Sequence, residues 1–130
     1  MSGGGAYGAY QTGVLDGMYN ILTDKQEMAY DVISGVSAGS LNTLGTALFA
    51  KGDEGGMITF LTDLWTNVYQ TEVMTRWKPF GIVEGVLEKA GLFDDSPLLD
   101  FLHEKVKEYG PVKDRHLIFN AADANSGSYV

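Results

Sequence analysis

The stretch Gly35-Val36-Ser37-Ala38-Gly39 sets a serine between two glycines, each two residues away. A serine hydroxyl is a poor nucleophile until its surroundings activate it. On a sharp strand-to-helix turn a serine is held in a strained backbone, and the residues two before and two after it crowd the bend. Gly35 and Gly39 are small enough for that crowding. A helix opening at Ala38 would aim unpaired N–H groups at the reacting centre. The chain also begins Met1-Ser2-Gly3-Gly4-Gly5-Ala6-Tyr7-Gly8. Successive glycines let a backbone come close to a ligand and turn its N–H groups inward. Attack by serine on an ester builds negative charge on the carbonyl oxygen. Preorganised N–H donors stabilise that charge, and losing one costs about 3–4 kcal/mol. Ser37 is therefore the candidate nucleophile, with Gly3, Gly4, Gly5 and Ala38 as the candidate oxyanion hole.

These residues need elements to hold them. Tyr10, Val14, Met18 and Ile21 recur at helical spacing, which predicts a helix over 8–22 after the glycine loop. Ala29 to Ser34 reads as a short buried strand feeding the serine turn. Leu41, Leu44 and Leu48 mark the helix behind Ser37, ending near Lys51-Gly52. Ile58, Leu61, Trp65 and Val68 give another. Val83, Val86, Leu87 and Ala90 carry a short helical pattern. Ser96 reads as a helix cap with Pro97 at the first helical position. Leu98, Leu102, Val106 and Tyr109 form that helix's apolar stripe, and Gly110-Pro111 stops it. His116 to Ala121 reads as a second buried strand. This order predicts an α/β fold with a parallel sheet, Ser37 lying at the carboxyl end of a strand.

Other residues could do chemistry. Gly3, Gly5 and Gly8 satisfy Gly-x-Gly-x-x-Gly, a dinucleotide fingerprint. That motif requires an acid at the end of the next strand. Asp31 stands at the strand's start instead. The order Ser37, Asp94 or Asp95, His116 fits a Ser–acid–His triad, but His116 opens a strand and His103 lies on an amphipathic helix. Asp123 follows the second strand, and its short side chain is suited to bonding the turn at Asn125-Ser126-Gly127. Arg76-Trp77-Lys78-Pro79-Phe80 mixes cations with aromatics, as interfacial anchors do. Core rings with snorkelling cations give the same pattern. Two distant histidines and scattered carboxylates lack metal-ligand spacing, so no metal is expected.

The bulk composition narrows the class. At 130 residues the chain suits a single domain, with ordinary hydrophobic (45%) and charged (20%) content. A net charge of −8 argues against a nucleic-acid partner, whose phosphates call for clustered Lys and Arg. The absence of cysteine rules out disulfides and thiolate metal sites. No apolar run reaches the ~18 residues of a membrane span, and the N-terminus has no signal-peptide pattern. A soluble or peripheral membrane protein is the expectation.

The chain resembles the patatin-like phospholipase family nearly end to end. Gly3 to Leu15 resembles the family's glycine-rich oxyanion loop and following helix, and Gly35 to Asn42 its nucleophile elbow. Ser96-Pro97-Leu98 and Ile118 to Gly127 resemble later segments. The motif glycines are Gly3, Gly5, Gly8, Gly35 and Gly39. The resemblance implies a three-layer α/β/α fold with a mainly parallel central sheet. Residues 1–130 would form its N-terminal part, trimmed at both ends. It implies hydrolysis of a lipid ester, which can be met at a membrane surface, by a Ser–Asp dyad with no metal or organic cofactor. The family's aspartate lies in Asp-Gly-Gly or Asp-Gly-Ala downstream of the serine. The only Asp-Gly pair here is Asp16-Gly17, upstream of Ser37. The partner aspartate is thus expected outside this chain, and the chain alone is expected to be inactive. A non-catalytic lipid-binding or interaction module of the same fold is the alternative.

Overall fold

The computed structural model describes residues 1–67, 73–76, 78–79, 81–82, 87, 93–123 and 125–130. Val68, Trp77, Phe80, Val83, Val86 and Ala90, on which helical or interfacial readings rest, lie outside them. The chain divides into two units, Met1–Thr66 with Pro111–Val130, and Asn67–Gly110.

The first unit is built on two strands, β1 (Val32–Val36) and β2 (His116–Asn120). They pair in parallel, from Val32 opposite His116 to Val36 opposite Asn120. Parallel strands cannot be joined by a tight turn, so a long crossover separates them. On the other side of β1, the Met1 carbonyl accepts from the Val36 N–H at 3.2 Å and the Met1 amino group donates to the Ser34 carbonyl. These strands and helices give the α/β class that the sequence predicts.

Neither strand is buried as the sequence predicts. β1 alternates, with Ile33 and Gly35 buried and Val32 and Ser34 exposed; β2 buries no residue, and Ile118 and Phe119 are exposed. The strand also runs two residues further than expected, through Val36. Helix α2 (Ala38–Ala47) packs on both strands. It ends at Ala47, short of the glycine at position 52.

Helix α1 (Tyr7–Ile21) packs against α2. Its stripe differs from the predicted one. Gly8, Thr12 and Leu15 are buried, whereas Tyr10 is 73% and Ile21 84% exposed. This helix is apolar on two faces, so periodicity alone could not choose which one turns inward. Leu15 joins Met28, Met57, Ile58 and Leu61 in the core, with Tyr19, Leu22, Phe49 and Phe60 packed around them. Helix α3 (Glu54–Asn67) supplies the last three of those core residues.

In the second unit, helix α4 (Ser96–Tyr109) has half-buried Leu98, Phe101, Leu102 and Tyr109, while Val106 is exposed. Ser96 is its first helical residue rather than its cap. Asp95 holds the cap position without a side-chain bond, and the Asp94 carboxylate accepts from the Ser96 N–H at 3.0 Å and from its hydroxyl at 2.6 Å. Gly110, at φ 86°, ends the helix.

One buried ion pair joins distant parts of the first unit. Arg115 Nη2 lies 3.1 Å from Glu54 Oε1, and both side chains are almost wholly buried. The guanidinium also donates to the carbonyls of Tyr30 at 2.8 Å and Phe49 at 3.3 Å. Glu54 accepts in turn from the Gly52 N–H at 2.9 Å. The set therefore fixes the entries to β1, β2 and α3 together. Removing one member strands a buried charge, which costs about 3–5 kcal/mol. Arg115→Met is expected to lower unfolding free energy by about that much. The Glu54→Gln/Arg115→Met double variant should lose less than the two single variants added together, read by denaturant melts. Strict additivity would show that the two charges do not act as a pair.

Candidate active site

Ser37 stands between the end of β1 and the start of α2, with φ 53° and ψ −126°. Positive φ is costly for a non-glycine residue and marks a backbone held by its surroundings. Gly35 and Gly39 show why the turn can form. A Cβ on Gly35 would meet the Gly39 carbonyl oxygen and Thr43 Oγ1, each at 2.4 Å. A Cβ on Gly39 would meet the Met1 carbonyl oxygen at 2.4 Å. Both obstacles include backbone, so neither could move aside cheaply.

The Ser37 side chain is exposed and makes no capping bond to α2. Its carbonyl accepts from the Ser40 N–H at 2.8 Å, which leaves the hydroxyl for other work. Among the described residues, no carboxylate or imidazole bonds to Ser37 Oγ.

The glycine loop lies against this serine. A Cβ on Gly3 would sit 3.0 Å from Ser37 Cβ and 3.7 Å from Ser37 Oγ. Gly4 and Gly5 take φ values of 130° and 56°, open to glycine and strained for other residues. The space beside Gly5 is empty to 4 Å, and the Tyr7 ring flanks Gly4. Among the described residues, no acceptor is paired with the N–H of Gly3, Gly4, Gly5 or Ala38. Ala38 opens α2, where the helix itself offers no partner for that N–H. Gly8 is different: it is the second residue of α1, buried under the Trp65 ring, where a Cβ would meet Cζ2 at 2.2 Å. Its place in the motif is a packing requirement.

The other sequence candidates are elsewhere. His116 pairs opposite Val32, at the far end of β1 from Ser37. Four residues of strand separate those ends, about 13 Å at ~3.3 Å per residue. His103 is exposed on α4 in the other unit. Asp94 is committed to Ser96. The Asp123 carboxylate accepts from the Ser126 hydroxyl at 2.6 Å and from the N–H groups of Asn125 at 2.9 Å and Ser126 at 3.3 Å. These bonds, the Ser126 hydroxyl first, hold it below the usual carboxylate range. Asp123 is thus the turn residue that the sequence suggests. Among the described residues, no group of three His, Asp or Glu is placed to hold a metal ion.

Four further residues matter that residue types alone did not single out. Asn42 on α2, fully buried, donates from Nδ2 to the Gly8 carbonyl at 3.0 Å and to Gln11 Oε1 at 3.3 Å. Its Oδ1 accepts from Trp65 Nε1–H at 2.6 Å. Gln11 Nε2 in turn donates to the Ser2 carbonyl at 2.6 Å and to Ser2 Oγ at 3.0 Å. The one sequence hint was a polar residue beside Leu41 on an otherwise packed helix. On β2, Asn120 Nδ2 donates to Ser34 Oγ at 3.0 Å and the Gly35 carbonyl at 3.3 Å, steadying the strand just before the turn.

No curated protein and no solved structure matches the chain. The family model for patatin-like phospholipase matches residues 1–127, nearly the whole chain. With a strained serine at a strand-to-helix turn and a glycine loop against it, the chain belongs to the patatin-like phospholipase family.

Proposed function

We propose that this chain carries the nucleophile and oxyanion hole of a lipid acyl hydrolase. The observation that carries the reading is Ser37 at positive φ, exposed, with Gly3 so close that a Cβ there would sit 3.0 Å from Ser37 Cβ. Family membership supports a lipid ester as the substrate class.

In this reading Ser37 Oγ attacks the acyl carbonyl carbon, and its proton passes to a carboxylate. The carbonyl electron pair moves onto oxygen, where N–H groups of Gly3, Gly4, Gly5 and Ala38 receive it. Collapse of that adduct breaks the ester C–O bond, and the alcohol leaves with a proton. Water then releases the acyl group from Ser37 by the same steps in reverse. The donors matter most when charge has formed, so they lower the barrier rather than merely tighten binding. No metal or organic cofactor enters the scheme.

The carboxylate is proposed to come from outside these 130 residues. Asp123 is the one acid after β2, and its bonds to Asn125 and Ser126 occupy it. A second reading rests on the same observation: with no carboxylate on Ser37 Oγ among the described residues, the fold could serve as a non-catalytic lipid-binding module.

Two measurements separate these readings. A full-length protein that contains this chain should hydrolyse acyl esters and bind a fluorophosphonate at Ser37, and Ser37→Ala should abolish both. Equal ester turnover by the two proteins would refute the nucleophile, and no turnover by either would favour the module. The 130-residue chain on its own should be at least about 10⁴-fold slower, because a serine without its base loses about that much. Asp123→Ala in the full-length protein should leave labelling unchanged. Rapid turnover by the short chain, lost on Asp123→Ala, would make Asp123 the base.

A further inference from the structure

We propose that Asn42 is a positioning residue: one buried amide that ties both ends of the glycine loop to the helix carrying the nucleophile. The inference rests on the reading of Ser37 and the loop given above.

The loop needs such a tie. Glycine loses more backbone freedom on ordering than any other residue. Gly3-Gly4-Gly5 is a run of three, exposed at Gly4 and Gly5. Donors useful to a transition state must be in place before charge forms, within fractions of an ångström. The loop's own bond, from the Tyr7 N–H to the Gly4 carbonyl at 3.2 Å, spans only a few residues, and the Met1 bonds tie its start to β1 rather than to α2.

Asn42 reaches the loop from both sides. On the C-terminal side it donates to the Gly8 carbonyl at 3.0 Å, and the Gly8 N–H donates to the Gly5 carbonyl at 3.0 Å. On the N-terminal side it donates to Gln11 Oε1 at 3.3 Å, and Gln11 Nε2 donates to the Ser2 carbonyl at 2.6 Å. Ser2 and Gly8 bracket the glycines. Asn42 itself sits in α2, the helix that begins immediately after Ser37. The oxyanion loop and the nucleophile are thereby held to one side chain.

Chemistry fixes which way the amide faces. Indole N–H is only a donor, so the atom 2.6 Å from Trp65 Nε1 must be the Asn42 oxygen. The NH₂ group is then directed at Gly8 and Gln11, where both its hydrogens are used. Trp65 has two tasks: it sets the amide's orientation, and its ring takes the space beside Gly8, where no Cβ would fit. A single-atom change tests this. Asn42→Asp has the same shape and keeps the acceptor for Trp65, but it puts an oxygen against the Gly8 carbonyl.

The experiment uses the full-length protein and measures fluorophosphonate labelling of Ser37, kcat and KM for p-nitrophenyl butyrate, and Tm. Asn42→Asp should lower both the labelling rate and kcat about 10- to 100-fold, with KM nearly unchanged. Gln11→Ala cuts only the Ser2 arm at a half-buried site, so it keeps the test open if Asn42→Asp does not fold. It should lower kcat about 3- to 10-fold. Ile58→Val, a core change outside the Asn42 hydrogen bonds, controls for stability: Tm should fall while kcat holds. Wild-type labelling rate and kcat in folded Asn42→Asp, or in Gln11→Ala where the first does not fold, would overturn the inference. If wild type is not labelled at Ser37, the reading of the nucleophile fails first, and this inference fails with it.

Discussion

The space around residue 37 is the constraint on which the rest of the first unit depends. Three glycines from separate parts of the chain meet there, and none has room for a methyl group without something yielding. Gly35 faces α2, Gly39 faces Met1, and Gly3 faces Ser37. A positive φ at serine costs roughly 1–3 kcal/mol and persists only where neighbours over-determine it. Here the neighbours do so. The β1–β2 ladder, the Met1 bonds to Ser34 and Val36, and Asn120 on the Gly35 carbonyl hold the strand side. The start of α2 holds the other.

The two ends of the parallel strands are held by different chemistry. At the amino end a buried charge network of Arg115 and Glu54 binds the carbonyls of Tyr30 and Phe49. Charge there is remote from the proposed reaction and can be fully neutralised. At the carboxyl end the polar side chains are uncharged: Asn42, Gln11 and Trp65 form one network, and Asn120 separately binds the Gly35 carbonyl. Open α/β sheets place their ligand sites at the carboxyl ends of strands. A fixed charge buried beside Ser37 would compete for the donors that a developing oxyanion needs. Amides position the backbone without that competition.

How far the fold could be read from sequence followed from how local each signal is. The serine turn and the glycine loop were legible because small residues at fixed offsets are themselves the requirement. Helices α1 to α4 were legible from apolar spacing. The inward face of α1 was not, since Tyr10, Val14 and Ile21 compete with Gly8, Thr12 and Leu15 for it. The strands looked buried because β-branched runs do not say how many faces are covered. Ser96 and Asp94 are both good cap residues, and only the fold shows that Asp95 takes the cap position while Asp94 bonds the first helical N–H. The Asn42 links to Gly8 and Trp65, and the Arg115 link to Glu54, join residues 34, 23 and 61 positions apart. No local pattern carries pairings over such distances.

Glycine and asparagine thus have complementary parts in this site. Glycine is required where backbone must pass close to the serine or expose an N–H at positive φ. The same lack of a side chain leaves the loop without packing of its own. A loop of three glycines can adopt the reactive shape and many others of similar energy. Selection among them has to come from outside the loop, through groups that recognise backbone. A buried asparagine does this well, because its amide matches backbone carbonyls and its loss of side-chain freedom is shared among three hydrogen bonds. Its position on α2 is the decisive feature. The amide sits on the same helix that begins just after Ser37, so it adds a tie from α2 to the one that Met1 makes with β1.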